Sequence, residues 1–387
     1  MRRPPKLLSI LTAALFGSLF TASCSNDSPT NPSPPELVSP WVEVALPDTL
    51  PKSVLMGIAF SGTRGLALGA QGSSQGYVLE FNGTSWQPQQ LSTEVNDFPL
   101  AVAMDSAGNG VVVGARFDGG GSPVVFAERP DWTRVDLPMV FGGLQCVAVD
   151  ASGTFVAAGP GNSNVLALSG TATGTWTQLS IPLPGDPQEK ALVDLVYRDG
   201  SWAACGFDDG GQGDESSPFS VVLLNQGTGW DLLSGPGCGG CGSREYRAVA
   251  LSAQEGLLLG GAITDFSAGA DDEYTAFFAL YDPGSESWTE IVLPAPGVLD
   301  RVNDILVTST GDVYLACGLA HQSLIHHEPT GKTSVEWSSG EESITSLAED
   351  ALGNVYAVGV HNERVVGDPP GTYRIGPPFM LRRPPEL

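Results

Sequence analysis

The chain has 387 residues and carries 18 Lys plus Arg against 43 Asp plus Glu, a formal charge of −25. So acidic a surface repels the phosphates of nucleic acid and the headgroups of anionic lipid, which argues against DNA or RNA as partners. Apolar residues make up 42%, with 49 Gly and 30 Pro, a turn-rich composition whose strong apolar periodicity argues against disorder.

The first element is a leader. MRRPPK is a basic segment, LLSILTAALFGSLF is an apolar core too short to span a bilayer, and small residues follow at once. TASC at 21–24 resembles a bacterial lipobox, which implies that residues 1–23 are removed and that Cys24 is lipidated and becomes the mature N-terminus. Thr21 departs from the pattern, where an aliphatic residue is usual, so ordinary cleavage near Ser23, giving a soluble secreted or periplasmic protein, is the alternative. Ser25 follows Cys24 where an aspartate would favour the inner membrane, so the resemblance implies the outer membrane or cell surface. Losing Arg2, Arg3 and Lys6 takes the formal charge to −28. Acyl chains on Cys24 would then hold the membrane, each buried methylene contributing about 0.8 kcal/mol. Residues 24–40, rich in Ser, Asn and Pro, read as an extended tether.

From residue 41 onward the chain repeats itself. Trp41, Trp86, Trp132, Trp176, Trp230, Trp288 and Trp337 stand 44 to 58 residues apart, and the surrounding strand recurs as WVEVALP at 41–47, WTRVDLP at 132–138, WTQLSIP at 176–182 and WTEIVLP at 288–294. Each unit also has an apolar strand ending on glycine: Gly69, Gly114, Gly159, Gly206, Gly260, Gly318 and Gly359. A second apolar strand and a tight turn precede it, as in AVAMDSAGNGVVVG at 101–114, which is a hairpin signal. Near-continuous apolar runs fit strands covered on both faces by neighbours. A unit of this length, built of short strands, predicts an all-β protein, a β-propeller with one four-stranded blade per repeat.

Residues 41–380 are assigned to that propeller and 381–387 to a C-terminal tail. The seventh inner hairpin, 344–359, has no tryptophan strand after it, whereas WVEVALP at 41–47 precedes the first complete hairpin. The N-terminal strand is therefore expected to complete the last blade and close a monomeric ring of seven. The alternative is six blades with Trp41 outside them. The tryptophans are read as anchors packed between blades, each with an indole N–H in need of a partner. Trp202 lies outside the series and is placed in the second strand of the fourth blade.

Of six cysteines, Cys146, Cys205 and Cys317 fall in apolar strands and are expected as buried thiols. Cys238 and Cys241, in PGCGGCGS, suggest a local disulfide in an oxidising compartment. A single C-x-x-C is too little for a four-ligand zinc site.

Function is expected on the face bearing the connections between second and third strands and between blades. Three of these are long: RFDGGGSP at 116–123 with Asp118, FDDGGQGDESSP at 207–218, and ITDFSAGADDEYT at 263–275. Asp208, Asp209, Asp214 and Glu215, and likewise Asp271, Asp272 and Glu273, supply the hard oxygen ligands that calcium takes, without a matching spacing. The alternative is a solvated acidic rim. His321 and His361 follow the marker glycines of adjacent blades and are placed on the same face, as a pair or singly, while His326 and His327 read as a strand-edge pair.

The stretches LLLGGAITD at 257–265 and FALYDPGSESWTEIVLP at 278–294 resemble a kelch repeat, in which a double glycine is followed by a tyrosine and a tryptophan. The endings GTSW at 83–86 and GTW at 174–176 are similar to those of sialidase-type Asp-box repeats, although no unit has the full S-x-D-x-G-x-T-W order. These resemblances imply a divergent propeller and carry no active site to this chain. Sialidase-like chemistry would need an arginine cluster, an acid and a tyrosine nucleophile, and a kelch-type copper oxidase several His and Tyr ligands; four histidines offer little. No G-x-S-x-G, H-E-x-x-H or phosphate-cradling loop occurs. The expectation is a non-catalytic binding or scaffold module with a protein or glycan ligand, the alternative a propeller hydrolase or lyase acting on glycans.

Overall fold

The computed structural model describes residues 39–385 apart from 72–74, 92–93, 95, 118–120, 130, 162–164, 182, 184–189, 209–218, 237–242, 266–272, 295–298, 319–321, 341 and 365–372. Seven antiparallel sheets of four strands each form a ring. Blade 1 runs outward from the axis through Val54–Ser61, Arg64–Gln71, Gln75–Phe81 and Trp86–Gln90, and the next five blades repeat that order. The innermost strands, Val54–Ser61, Asp97–Met104, Cys146–Val149, Lys190–Arg198, Ser243–Ser252, Val302–Val307 and Glu342–Glu349, pack against one another in cyclic sequence. Among the described residues no helix is long and apolar enough to cross a membrane.

Blade 7 shows how the ring closes. Its Glu342–Glu349, Val355–Arg364 and Tyr373–Arg383 are joined by Val42–Glu43, with Val42 opposite Arg382 and Glu43 opposite Leu381. The Val44 amide extends the pairing to the Met380 carbonyl at 2.9 Å. Trp41 is buried edge-on against Tyr314 of blade 6, ring centroids 6.0 Å apart, and its indole N–H donates to Glu336 at 3.0 Å. Chain ends thus hydrogen-bond to each other and leave no open sheet edge there.

The second strand of each blade is apolar because neighbouring blades cover both of its faces. Val111, Val112 and Val113 are fully buried, as are Leu66, Ala67 and Leu68. Trp202 lies in the second strand of blade 4, Ser201–Asp208, against Tyr197. The repeated glycine has a different cause. In six blades the innermost strand carries a bulge, which leaves Met56, Leu100, Val193, Arg247, Asn303 and Thr345 unpaired. The bulge drives the strand against its neighbour: a Cβ at Gly114, Gly206 or Gly359 would collide with the carbonyl oxygen of Phe98, Ala191 or Ser343. In blade 5 this position belongs to Gly261, under the Glu245 carbonyl, and not to Gly260, so the series read from the sequence is one residue out of register there.

All seven tryptophans pack between blades, six of them against the preceding blade. Trp86 meets Tyr356 of blade 7, Trp132 shares a cluster with Leu66 of blade 1, and Trp176 with Val113 of blade 2; each leans on the preceding blade. The Trp288 indole donates to the Ser234 carbonyl at 2.7 Å, whereas the buried Nε1 atoms of Trp86 and Trp176 lack the partner expected for them.

Blade 6 departs from this pattern. Register places Ser334, opposite His326, where the other outer strands hold tryptophan, and Trp337 packs forward onto Phe379 of blade 7. His327 takes over the contact with blade 5: its ring meets Phe278 edge-on at 5.6 Å, and its Nε2 lies 3.3 Å from Glu255. His326 stacks on Tyr314 at 4.7 Å with its nitrogens 2.9 Å from Asp312 and 3.1 Å from Glu336. Both histidines are buried, His327 at 1% exposure in contact with blade 5 and His326 among groups of its own blade, so they are not the strand-edge pair that the sequence suggested.

Candidate functional site at the upper mouth of the channel

The lower end of the ring, where first strands turn into second and third into fourth, is made of self-satisfied turns. Asp105, Asp150 and Asp350 each accept two backbone amides of their own turn at 2.8–2.9 Å, so these repeated aspartates are turn caps. Arg198 of blade 4 crosses beneath the channel to the carbonyls of Leu251 at 3.2 Å, Val307 at 3.4 Å and Thr308 at 3.3 Å, in blades 5 and 6. Arg64 ties Glu80 of its own blade to Glu128 and the Gly108 carbonyl of blade 2.

Higher in the channel wall two aspartates interrupt the apolar strands. The Asp194 carboxylate accepts the amides of Leu195 and, from the next blade, Val249, both at 2.8 Å. Asp304 repeats this with Ile305 at 2.8 Å and Leu347 at 2.7 Å. The amides of Val249 and Leu347 point off the free edges of innermost strands, so each aspartate links two blades on the axis side. Burial and then the charge of Asp304 push Asp194 up to about 7, against the pull of its backbone donors. Burial raises Asp304 to about 6. Burial likewise pushes the thiols of Cys146, Cys205 and Cys317 far up, and all three are buried and free, as expected of inert core cysteines.

At the upper mouth the bulge positions diverge in use. Asn303 donates to the Gly318 carbonyl at 2.9 Å and the Ile344 carbonyl at 3.2 Å, and Thr345 to the carbonyls of Leu55 and Val358, joining blades 6, 7 and 1. Arg247, in the same place in blade 5, reaches among the described residues only Glu245 of its own strand, at 2.6 Å. Next to it stands Arg301, at the entry to the innermost strand of blade 6. Burial and then the positive charge of Arg247 push Arg301 down to about 10, opposed by Glu245, Asp300 and Tyr274. The Nε atoms of both arginines are buried with no hydrogen-bond partner.

Most of the residues singled out from sequence lie outside the described residues: Cys24, Cys238, Cys241, Asp118, Asp209, Asp214, Glu215, Asp271, Asp272 and His321. Asp208 and Glu273 end and begin strands that border two of the long connections, Ser201–Asp208 and Glu273–Asp282. His361 sits between Glu342 at 3.2 Å and Glu43 at 3.7 Å, over Phe379. Among the described residues no three His, Cys, Asp or Glu side chains are grouped to hold a metal ion. Sequence reading missed Asp194, Asp304, Arg247 and Arg301; an acid or arginine inside an otherwise apolar strand, as in ALVDLVY and RVNDILV, was the available signal.

No protein-family model matches the chain, and no curated protein does. Solved structures do. YCF48 bound to a D1 peptide superposes with a TM-score of 0.58 at 13% identity, over 90% of this chain and 96% of that one. A catalytically inactive virginiamycin B lyase from Staphylococcus aureus, solved with quinupristin, gives 0.58 at 8% identity over 89% and 98%. The extracellular domain of a protein assigned to the one-component systems, BT4673 of B. thetaiotaomicron, gives 0.55 at 10% identity over 88% of this chain and 40% of that one. The chain is a seven-bladed β-propeller. Identities this low establish the architecture and nothing finer.

Proposed function

We propose that this propeller is an exported, lipid-anchored, non-catalytic binding module of the cell envelope, which takes a protein or glycan ligand at its upper end. Residues 1–23 would be the signal peptide, acylated Cys24 the anchor, and 24–40 the tether. The observation that carries the binding reading is the contrast between the two ends of the ring. Arg198 and Arg64 are fully engaged below, while Arg247 and Arg301 keep buried donors without partners above. Buried, unmatched donors on a rigid scaffold are what a ligand can satisfy at little ordering cost. Structures of the same architecture solved with a D1 peptide and with quinupristin support the reading that such a ring takes a ligand.

The test is a screen of the full-length protein against peptide and glycan arrays, with Tyr274→Ala above and Arg64→Ala below as paired variants. Loss of a hit through the upper variant alone supports the reading, and loss through the lower variant alone overturns it. Cys24→Ala should move the protein from the membrane fraction to the soluble one.

One observation favours a lyase or hydrolase instead: a carboxyl group titrating near neutrality, as Asp194 does, suits general acid catalysis. Both of its oxygens are occupied by backbone amides, however, which ties it to holding blades 4 and 5 together. Turnover of any glycan hit that Asp194→Asn abolishes without unfolding the ring would establish the enzymatic reading.

A further inference from the structure

Six blades set an extra residue at the bulge of the innermost strand, and the side chain there decides what the channel mouth offers. Met56, Leu100 and Val193 are apolar, and Asn303 and Thr345 are consumed in links between blades. Arg247 alone puts a cation at this position. Its Nη2 meets Glu245 at 2.6 Å, and its Nε is buried and unmatched. Arg301 has the same unmatched Nε and forms no ion pair among the described residues. Two neighbouring guanidinium groups repel each other, and each leaves a desolvated donor.

We propose that Arg247 and Arg301 form an oxyanion site at the upper mouth of the channel, and that the group it takes is a carboxylate. This deepens the binding reading above and rests on it. A carboxylate accepts two parallel N–H bonds from a guanidinium fork, so one group placed between the arginines would satisfy both Nε atoms and screen their repulsion. Charge decides between carboxylate and phosphate. Glu245 and Asp300 already stand beside the pair, and the whole chain carries −25. The two acids offset the two guanidinium charges locally, so a second negative charge on the ligand finds no further cation and meets the repulsion of the acidic chain. The carboxylate could be a peptide C-terminus or an acidic sugar, and the chemistry at the arginines is the same for both.

The experiment follows the arginine Nε–H resonances of the isotope-labelled full-length protein in detergent, assigned through Arg247→Gln and Arg301→Gln. The probes are trialanine, its C-terminal amide, glucuronate, glucose and sodium sulfate. The expected result is a saturable shift of both signals with trialanine, glucuronate or both, and none with the amide or glucose. Each glutamine variant should weaken binding by on the order of tenfold or more while retaining the parent's melting temperature. A response to trialanine alone assigns the site to peptide termini, and one to glucuronate alone assigns it to acidic sugars. Unmoved resonances with every carboxylate, or shifts that sulfate reproduces at equal ionic strength, overturn the proposal. An array ligand still lost through Tyr274→Ala in that case would leave the binding reading standing and this site refuted.

Discussion

The lower and upper ends of the ring are built from the same strands, yet they treat two pairs of arginines differently. Below, short turns close on their own aspartates, Arg198 collects the carbonyls of two blades and Arg64 one of a third, Ser309 donates to Glu349, and the Ala351 amide reaches the Gly62 carbonyl to seal blade 7 to blade 1. Above, the bulges re-aim one residue in each of six blades, and in blade 5 that residue is an arginine whose Nη2 meets Glu245 while its buried Nε has no partner. The difference teaches where stability and recognition are separated in this molecule. The lower end holds the blades in register, and the upper end does so in part while leaving two arginine Nε atoms unmatched.

That separation requires the ring to behave as one unit, so the strongest challenge is to open it. Deleting residues 25–47 removes the outer strand of blade 7 together with Trp41 and its bond to Glu336. Loss of a buried tryptophan and a strand should cost on the order of 5 kcal/mol in urea unfolding, whereas deleting 25–38 should cost almost nothing. Equal stability of the two would mean that closure does not hold the ring.

A smaller effect separates the ends directly. Arg198→Ala removes the donor shared by the carbonyls of Leu251, Val307 and Thr308 at the bottom of the channel, of which Thr308 keeps the Gly311 amide, at a cost of about 1–3 kcal/mol. Ligand binding at the upper end should survive this change at temperatures where the variant stays folded. Unchanged stability would show that Arg198 merely rests on the lower rim.

The channel wall between the ends should show itself through pH. Asp194 and Asp304 have folded values of about 7 and about 6, above the ordinary value of 3.8. Their contribution to stability is therefore fully present below that ordinary value and is lost as pH rises through the folded values. His326, raised by Glu336 and Asp312 against its burial, loses its contribution in the same direction but above 6.5. Glu336 and Asp312 are lowered, so what they add disappears only in acid, below the ordinary carboxylate range. Between pH 4.5 and 6.5 unfolding free energy should thus fall as pH rises, by up to about 1.4 kcal/mol per pH unit for each proton involved. Asp194→Asn should flatten that slope, and an unchanged slope would remove Asp194 as its source.

Sequence made the architecture legible because propeller packing is periodic: tryptophan anchors, apolar second strands and close-approach glycines recur once per blade. The closing strand was legible for the same reason, since Trp41 had no hairpin of its own. The candidate site was not, because it depends on where a bulge re-aims one side chain, and Arg247 in SREYRAVALS looks like any polar residue on an alternating strand. Blade 6 failed in an instructive way. Trp337 keeps the spacing of the series, but it stands opposite Leu324 and not opposite His326, packs forward onto blade 7, and leaves the contact with blade 5 to His327. The acidic loops drew attention through composition, yet composition says nothing about which carboxylates converge.

The smallest expected effect is the one that tests the comparison most sharply. If the upper mouth is reserved for recognition, Arg301→Gln removes a buried charge that holds no blade, and the stability of the ring should change by no more than about 0.5 kcal/mol. A slight gain is the favoured direction, because the desolvation of an unmatched cation and its repulsion with Arg247 both disappear. Arg198→Ala, also an arginine of the channel but engaged with three carbonyls, should lose several times as much. Urea unfolding of the two variants side by side decides the matter. A loss at Arg301 equal to that at Arg198 would mean that both ends of the channel serve the fold, and the division between a structural floor and a binding mouth would fall.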